Sequence, residues 1–223
     1  GSRDDGIGFL RGLASAAARV HLVENRTFRT HARGLRRGIA ALEAIERGEH
    51  PGRRCNLLLI CDPDVIFLNP GTLQALADTL VREQAALAGE LRHNLYPRPE
   101  AQASFLAMRR DSYERRDIAP FVSHGAPAWP MQRSLWQAGL RLADFPSNRG
   151  GYILHRGRSG VAAARRHHRR SSYATVSNNQ PHYMGLPNGA ETWQRSEQEH
   201  ADWLTPASER ALVDHLAAKL NCL

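Results

Sequence analysis

Two aspartates one residue apart, Asp62 and Asp64 in the run NLLLICDPD, are the side chains of this chain best suited to chemistry. They directly follow the apolar residues 57–60, so they stand at the tip of a strand. Carboxylates held this close repel each other, and each is costly to keep as an unpaired anion out of bulk water. A hard divalent cation relieves the repulsion and accepts oxygen ligands. If that cation also holds a diphosphate, it neutralises the charge that develops as a nucleotide leaves. The same spacing also suits a plain turn, with one Asp capping the next helix and the other in water beside Pro63. The position after an apolar strand favours the cation.

The remaining chemistry-bearing residues are diffuse. Among the 30 basic residues Lys219 is the single lysine, and 22 acidic residues leave a formal net charge of +8. The arginine and alanine bias fits the codon usage of a GC-rich bacterial genome. It also suits phosphate binding, because guanidinium grips phosphate bidentately. The charge therefore admits nucleotide, nucleic-acid and anionic-lipid partners without choosing among them. Residues 165–170, RRHHRR, form the densest basic run. It suits a mobile loop over phosphates, a contact with an anionic membrane surface, or a solvated charge run. The three cysteines, Cys55, Cys61 and Cys222, show neither a CxxC spacing nor a disulfide framework, which reads as a reduced, cytoplasmic chain. No apolar run approaches the ~18 residues of a membrane span, and no signal-peptide pattern is visible.

The elements that must position Asp62 and Asp64 follow from periodicity. Helical spacing predicts helices over residues 7–18, 30–47, 71–82, 109–116 and 130–140, and a last helix after Thr205-Pro206 with Leu212, Leu216 and Leu220 as its stripe. In the third helix Leu73, Leu76, Ala77 and Leu80 are expected inward. Short strands are expected at 20–23, 86–91, 103–108 and 150–155. Residues 56–61 are apolar after Asn56, which predicts a central parallel strand buried on both faces. The 30 or so residues after the basic run read as polar and turn-rich. Strands alternating with helices predict an α/β sandwich with a mainly parallel sheet, whose ligands bind beyond the carboxyl ends of the strands. Residues 1–160 read as the core. Residues 161–223 read as a basic loop and C-terminal helix packed on the same domain.

The run 56–68, NLLLICDPDVIFL, resembles the central strand and DxD loop of GT-A glycosyltransferases, especially those of family 2 type. Other pieces are similar and fall in the same order. They are GSRDDG at 1–6, Val23-Glu24-Asn25 with Gly34 and Gly38-Ile39, SFLAMRR at 104–110, and Gly139, Leu142, Pro146, His155, Gly157 and Ser159 as the pattern that closes the core. The resemblance implies a GT-A, Rossmann-like fold and transfer of a sugar from a nucleotide-diphosphate donor to a hydroxyl acceptor, with Mn²⁺ or Mg²⁺. It implies Asp64 and His155 as metal ligands, His155 serving the metal or the diphosphate. Asp62, Asn25, Arg33, Arg156 and Arg158 would bind the nucleotide sugar. Trp129, between Pro127 and Pro130 in a loop, would stack on the acceptor, whereas Trp136 beside Leu135 reads as core. The family's opening strand, an apolar run that binds the base, has no counterpart here. Nor is there an acid where inverting members place their general base; His124 is the titratable substitute in that stretch, unless it is a plain loop histidine, the mechanism is retaining, or the domain is catalytically silent.

Two other classes stay open on the residues alone. One is an anion- or nucleic-acid-binding module using the arginines, although these are scattered and not interleaved with aromatics. The other is a sugar-phosphate nucleotidyltransferase, for which GIGFLR at 6–11 is a poor phosphate loop.

Overall fold

Apolar runs in the middle of the chain pair into one mixed sheet. The computed structural model describes residues 6–25, 30–49, 52, 54–93, 97–123, 126–157, 188–199 and 206–222. In it β1 (Leu57–Cys61), β4 (Glu100–Arg109), β3 (Leu87–Arg92) and β5 (Leu142–Asp144) lie in the order β1-β4-β3-β5. A second, two-stranded sheet joins β2 (Val65–Phe67) to β6 (Ile153–His155). The chain is thus mixed α/β, as expected, but the sheet is not mainly parallel. Strand β4 runs antiparallel to both neighbours, and among the described residues only β3 and β5 are parallel. The reason is connection length. Residues 93–99 link β3 to β4, whereas a parallel crossover needs a dozen residues or more.

The expectation for β1 also changes. Among the described residues it pairs with β4 alone, and its burial alternates. Leu58 and Ile60 are buried, while Leu57 and Leu59 remain 39% and 42% exposed. An all-apolar strand signals two coverable faces, and the described residues cover one of them.

Helices α1 (Gly6–Ala16), α2 (His31–Gly48), α3 (Thr72–Arg82), α4 (Arg110–Tyr113), α5 (Trp129–Gln137), α6 (Gly189–Glu199) and α7 (Pro206–Asn221) complete the fold. Helix α2 starts where the sequence says, because the Thr30 hydroxyl accepts from the Arg33 amide as N-cap. Its Ala32 and Ile39 join Leu58, Ile60, Leu106 and Met131 in one core. Helix α3 lies on the opposite face, where Leu76 and Leu80 meet Phe105, Phe145 and Ile153. Leu73 points outward, contrary to expectation, and Thr72 and Thr79 take the inward places. The Thr72 hydroxyl donates to the Asn69 and Tyr152 carbonyls and the Thr79 hydroxyl to that of Ala75, so their burial leaves no hydroxyl unbonded.

Residues 20–23 form no strand. Helix α6 lies in the stretch expected to be turns, and its polar sequence offers no apolar stripe to reveal it. The Asn221 side chain of α7 finishes α1, donating to the Ala16 carbonyl and accepting from the Ala18 amide, each at 3.0 Å. In α7 the buried positions are Val213 and Ala217, with the leucine stripe half-buried beside them.

One buried amide ties α5 to the sheet. Gln132 is fully buried, donates to the Ala101 carbonyl at 2.7 Å and accepts from the Ala101 amide at 2.8 Å. Ala101 lies where the β3·β4 register shifts, between Gly89 and Leu91. Gln132→Leu would strand both backbone groups. Each unsatisfied buried group costs ~1–3 kcal/mol, so a loss of about 2–4 kcal/mol is expected in urea unfolding. A loss below about 0.5 kcal/mol would show that the amide adds nothing.

Candidate metal centre

The two aspartates are fixed by backbone at either side of a turn. The Asp62 amide donates to the Ser104 carbonyl at 2.7 Å, which holds Asp62 against β4 one residue beyond β1. Pro63 and Asp64 turn the chain into β2, whose Val65 is paired with His155 of β6. The Arg156 amide donates to the Asp64 carbonyl at 3.0 Å, closing that turn from the other strand. Two-stranded pairing therefore carries His155 to the aspartates from a distant part of the sequence.

Ligand atoms of Asp62, Asp64 and His155 all lie within 4.8 Å of one another. The His155 Nε2 is 3.3 Å from the Asp64 carboxylate, and the His31 Nε2 is 3.3 Å from that of Asp62. His31 opens α2 and was not singled out by the sequence, where a lone histidine after an N-cap carries no signal. Asp62, His31 and His155 share a cleft of about 210 Å³ with Ser104 and residues 126–128.

A buried network fixes His155 from behind. Its amide donates to Asn148 Oδ1 at 3.1 Å. The Asn148 and Arg149 amides both donate to the buried Glu90 carboxylate, at 2.5 and 3.2 Å. Glu90 thus holds the turn that orients His155. Neither Glu90 nor Asn148 was legible in the sequence, because their partners lie on other elements.

Cation chemistry suits this donor set. Oxygen and imidazole donors bound at ~2.1 Å lie ~3–4.3 Å apart, so a span of 4.8 Å closes with a small side-chain movement. The His155 side chain is only 8% exposed, and its buried Nδ1 has no hydrogen-bond partner. Burial first, then the charges of Asp62 and Asp64, push the neighbouring Cys61 thiol up to about 11, although the residue as a whole lies on the open side of β1. Among the described residues no other group of three His, Cys, Asp or Glu lies this close.

The other expected residues divide. The Asn25 side chain accepts from the Arg37 guanidinium at 2.7 Å, and Arg33 is exposed in the first turn of α2; neither lines the cleft. The Arg156 guanidinium lies 5.6 Å from the centroid of Trp193 in α6, with its Nε buried and unpartnered. His124, Arg158 and the basic run 165–170 lie outside the described residues. Trp129 is the first residue of α5 rather than a loop residue, and its ring packs edge-on against Trp136. Trp136 is half-buried at a groove, not in the core. Residues 6–11 are helical, which removes them as a phosphate loop. No helix among the described residues is long and apolar enough to cross a membrane. Comparison with protein-family models, with curated proteins and with solved structures gives no match for this chain.

Proposed function

We propose that this chain is a metal-dependent glycosyltransferase of GT-A type, moving a sugar from a nucleotide-diphosphate donor to a hydroxyl acceptor. The observation that carries the reading is the convergence of Asp62, Asp64 and His155, whose ligand atoms lie within 4.8 Å of one another, with Asp62 and His155 lining the cleft. These are the residues to which the family resemblance assigns metal and donor, and they meet although His155 is far from the aspartates in sequence.

In this reading Asp64 and His155 hold Mn²⁺ or Mg²⁺, and Asp62 faces the donor ribose or sugar from the cleft wall. The bound cation supplies charge neutralisation to the diphosphate leaving group. Asp62 is kept in place by the Ser104 carbonyl and His155 by Asn148, so both are oriented before the donor arrives. The acceptor hydroxyl approaches from the side of residues 126–128, where the cleft meets the start of α5. The acceptor is a small molecule, a glycan or a lipid-linked sugar, and in the last case residues 165–170 would meet an anionic membrane.

The test is a thermal-shift panel of UDP, GDP, TDP and CDP, each with and without Mn²⁺, on this chain and on Asp64→Ala. One nucleotide is expected to stabilise the chain only with metal, by about 2.7 kcal/mol at a hundredfold excess over Kd, and not to stabilise the variant. Silence toward all four nucleotides, or a response that survives Asp64→Ala, would overturn the reading.

A further inference from the structure

A second depression lies on the outer side of α5, a groove of about 510 Å³ lined by Pro97, Arg98, Trp129, Arg133, Trp136 and Gln137. We propose that it is a binding subsite for a sugar ring carrying an anionic group, the end of the acceptor that extends away from the reacting hydroxyl. The term acceptor rests on the transferase reading above. The binding of an anionic sugar does not.

Trp129 and Trp136 are seven residues apart on one helix, two turns, so their rings share a face. The centroids are 5.3 Å apart and the planes meet at 67°, an edge-to-face pair that leaves both residues half-buried. Both indoles border the groove. They suit a pyranose, whose C–H face lies against the negative π-face while its hydroxyls stay in water.

The charge at the groove selects among sugars. The Arg98 guanidinium is 5.7 Å from the Trp136 centroid, and Arg133 lies one helical turn beyond Trp129. Neither Arg98 nor Arg133 has a carboxylate partner among the described residues, whereas Arg110, Arg115, Arg141 and Arg149 are each ion-paired. None of the described residues that line it is acidic. A guanidinium laid on an aromatic face is weakly hydrated and pre-oriented, which favours bidentate capture of a carboxylate or phosphate.

Position links the groove to the cleft. Residues 126–128 line the cleft and Trp129, the next residue, lines the groove, so the two depressions flank the start of α5. A nucleic acid would also use tryptophan and arginine, but it needs a longer track of stacking platforms than one pair.

Tryptophan fluorescence of the full chain, without nucleotide or metal, reads the proposal. The probes are hyaluronan tetrasaccharide, neutral chitotetraose, glucose 6-phosphate against glucose, and a ten-residue oligothymidylate. Hyaluronan tetrasaccharide is expected to saturate at about tenfold lower concentration than chitotetraose, the effect of two exposed ion pairs. That preference should shrink with salt. It should vanish in Arg98→Gln/Arg133→Gln, a pair of substitutions at the groove wall whose folding is checked by the thermal midpoint. A response to glucose 6-phosphate alone, lost in the same variant, would assign the anion as phosphate. Equal affinity for both tetrasaccharides, no saturable binding to any sugar, a preference that survives the double substitution, or oligothymidylate binding as tightly would each overturn it. The two readings fail separately. Asp64→Ala leaves sugar binding intact if the groove is right, and a silent groove leaves the nucleotide panel unaffected.

Discussion

Replacing Arg110 by methionine is expected to lower the unfolding free energy by about 3 kcal/mol, measured by urea unfolding at pH 7. The Arg110 side chain is 4% exposed. It donates to both oxygens of Glu46 at 2.6 Å, to Glu114 at 2.8 Å and to the Cys55 sulfur at 3.2 Å. Glu114 also pairs with Arg54, and the Glu46 carboxylate accepts from the Cys55 amide at 2.9 Å. The cluster thereby clamps α2, the chain leading into β1, and α4. Removing one partner of a buried pair leaves the other charge unmatched, typically at ~3–5 kcal/mol. The lower end applies because Glu46 and Glu114 border an open groove and regain water.

The same pair sets a pH dependence. The Cys55 amide and then the Arg110 guanidinium hold the Glu46 carboxyl at about 2, below its ordinary value of 4.5. A depressed carboxyl stabilises the fold fully above its unfolded value and loses that contribution as pH falls toward its folded value. Stability should therefore decline between pH 4.5 and about 2, and less steeply in Arg110→Met. Parallel pH profiles for the two proteins would contradict the assignment.

The second large effect concerns the cation. Asp64→Ala and His155→Ala are each expected to weaken Mn²⁺ binding by more than about 100-fold, read from the free-ion signal in electron paramagnetic resonance. Each removes one of the two side chains that hold the cation in the proposed reading. Asn148→Ala acts only through the orientation of His155, and outer-layer partners of metal ligands are worth ~10–100-fold. The exposed Asp78→Ala, remote from the cluster in sequence and bonded only to Gln74 in its own helix, should change nothing. The ranking is the informative part. Equal losses in all four variants would mean non-specific acidic binding, and unchanged affinity in Asp64→Ala would remove the centre.

What the sequence determined about this protein is local. The 3.6-residue spacing of Ala32, Leu35, Ile39 and Leu42, with Thr30 before them, is enough to start and orient α2. The apolar run before Asp62 is enough to put two carboxylates at a strand end, and β3 and β4 follow from their composition. Such signals are short-range, because each depends on residues within two or three turns. Partner choice between strands does not. The run 57–61 is equally apolar as a central strand or as the edge it forms among the described residues, and only its pairing there decides. The seven-residue link 93–99 turns β4 back on β3, which makes the sheet mixed rather than mainly parallel. Polar partnerships were still less legible. Glu90 is held by a turn nearly sixty residues away, and His31 meets Asp62 only because α2 packs on the sheet. Helix α6 has no apolar stripe to announce it. The aspartates were legible because both halves of their chemistry lie in one tripeptide. The histidine beside them was expected from a resemblance, but its distance to Asp64 is set by the pairing of β2 with β6, a long-range contact that no local pattern encodes.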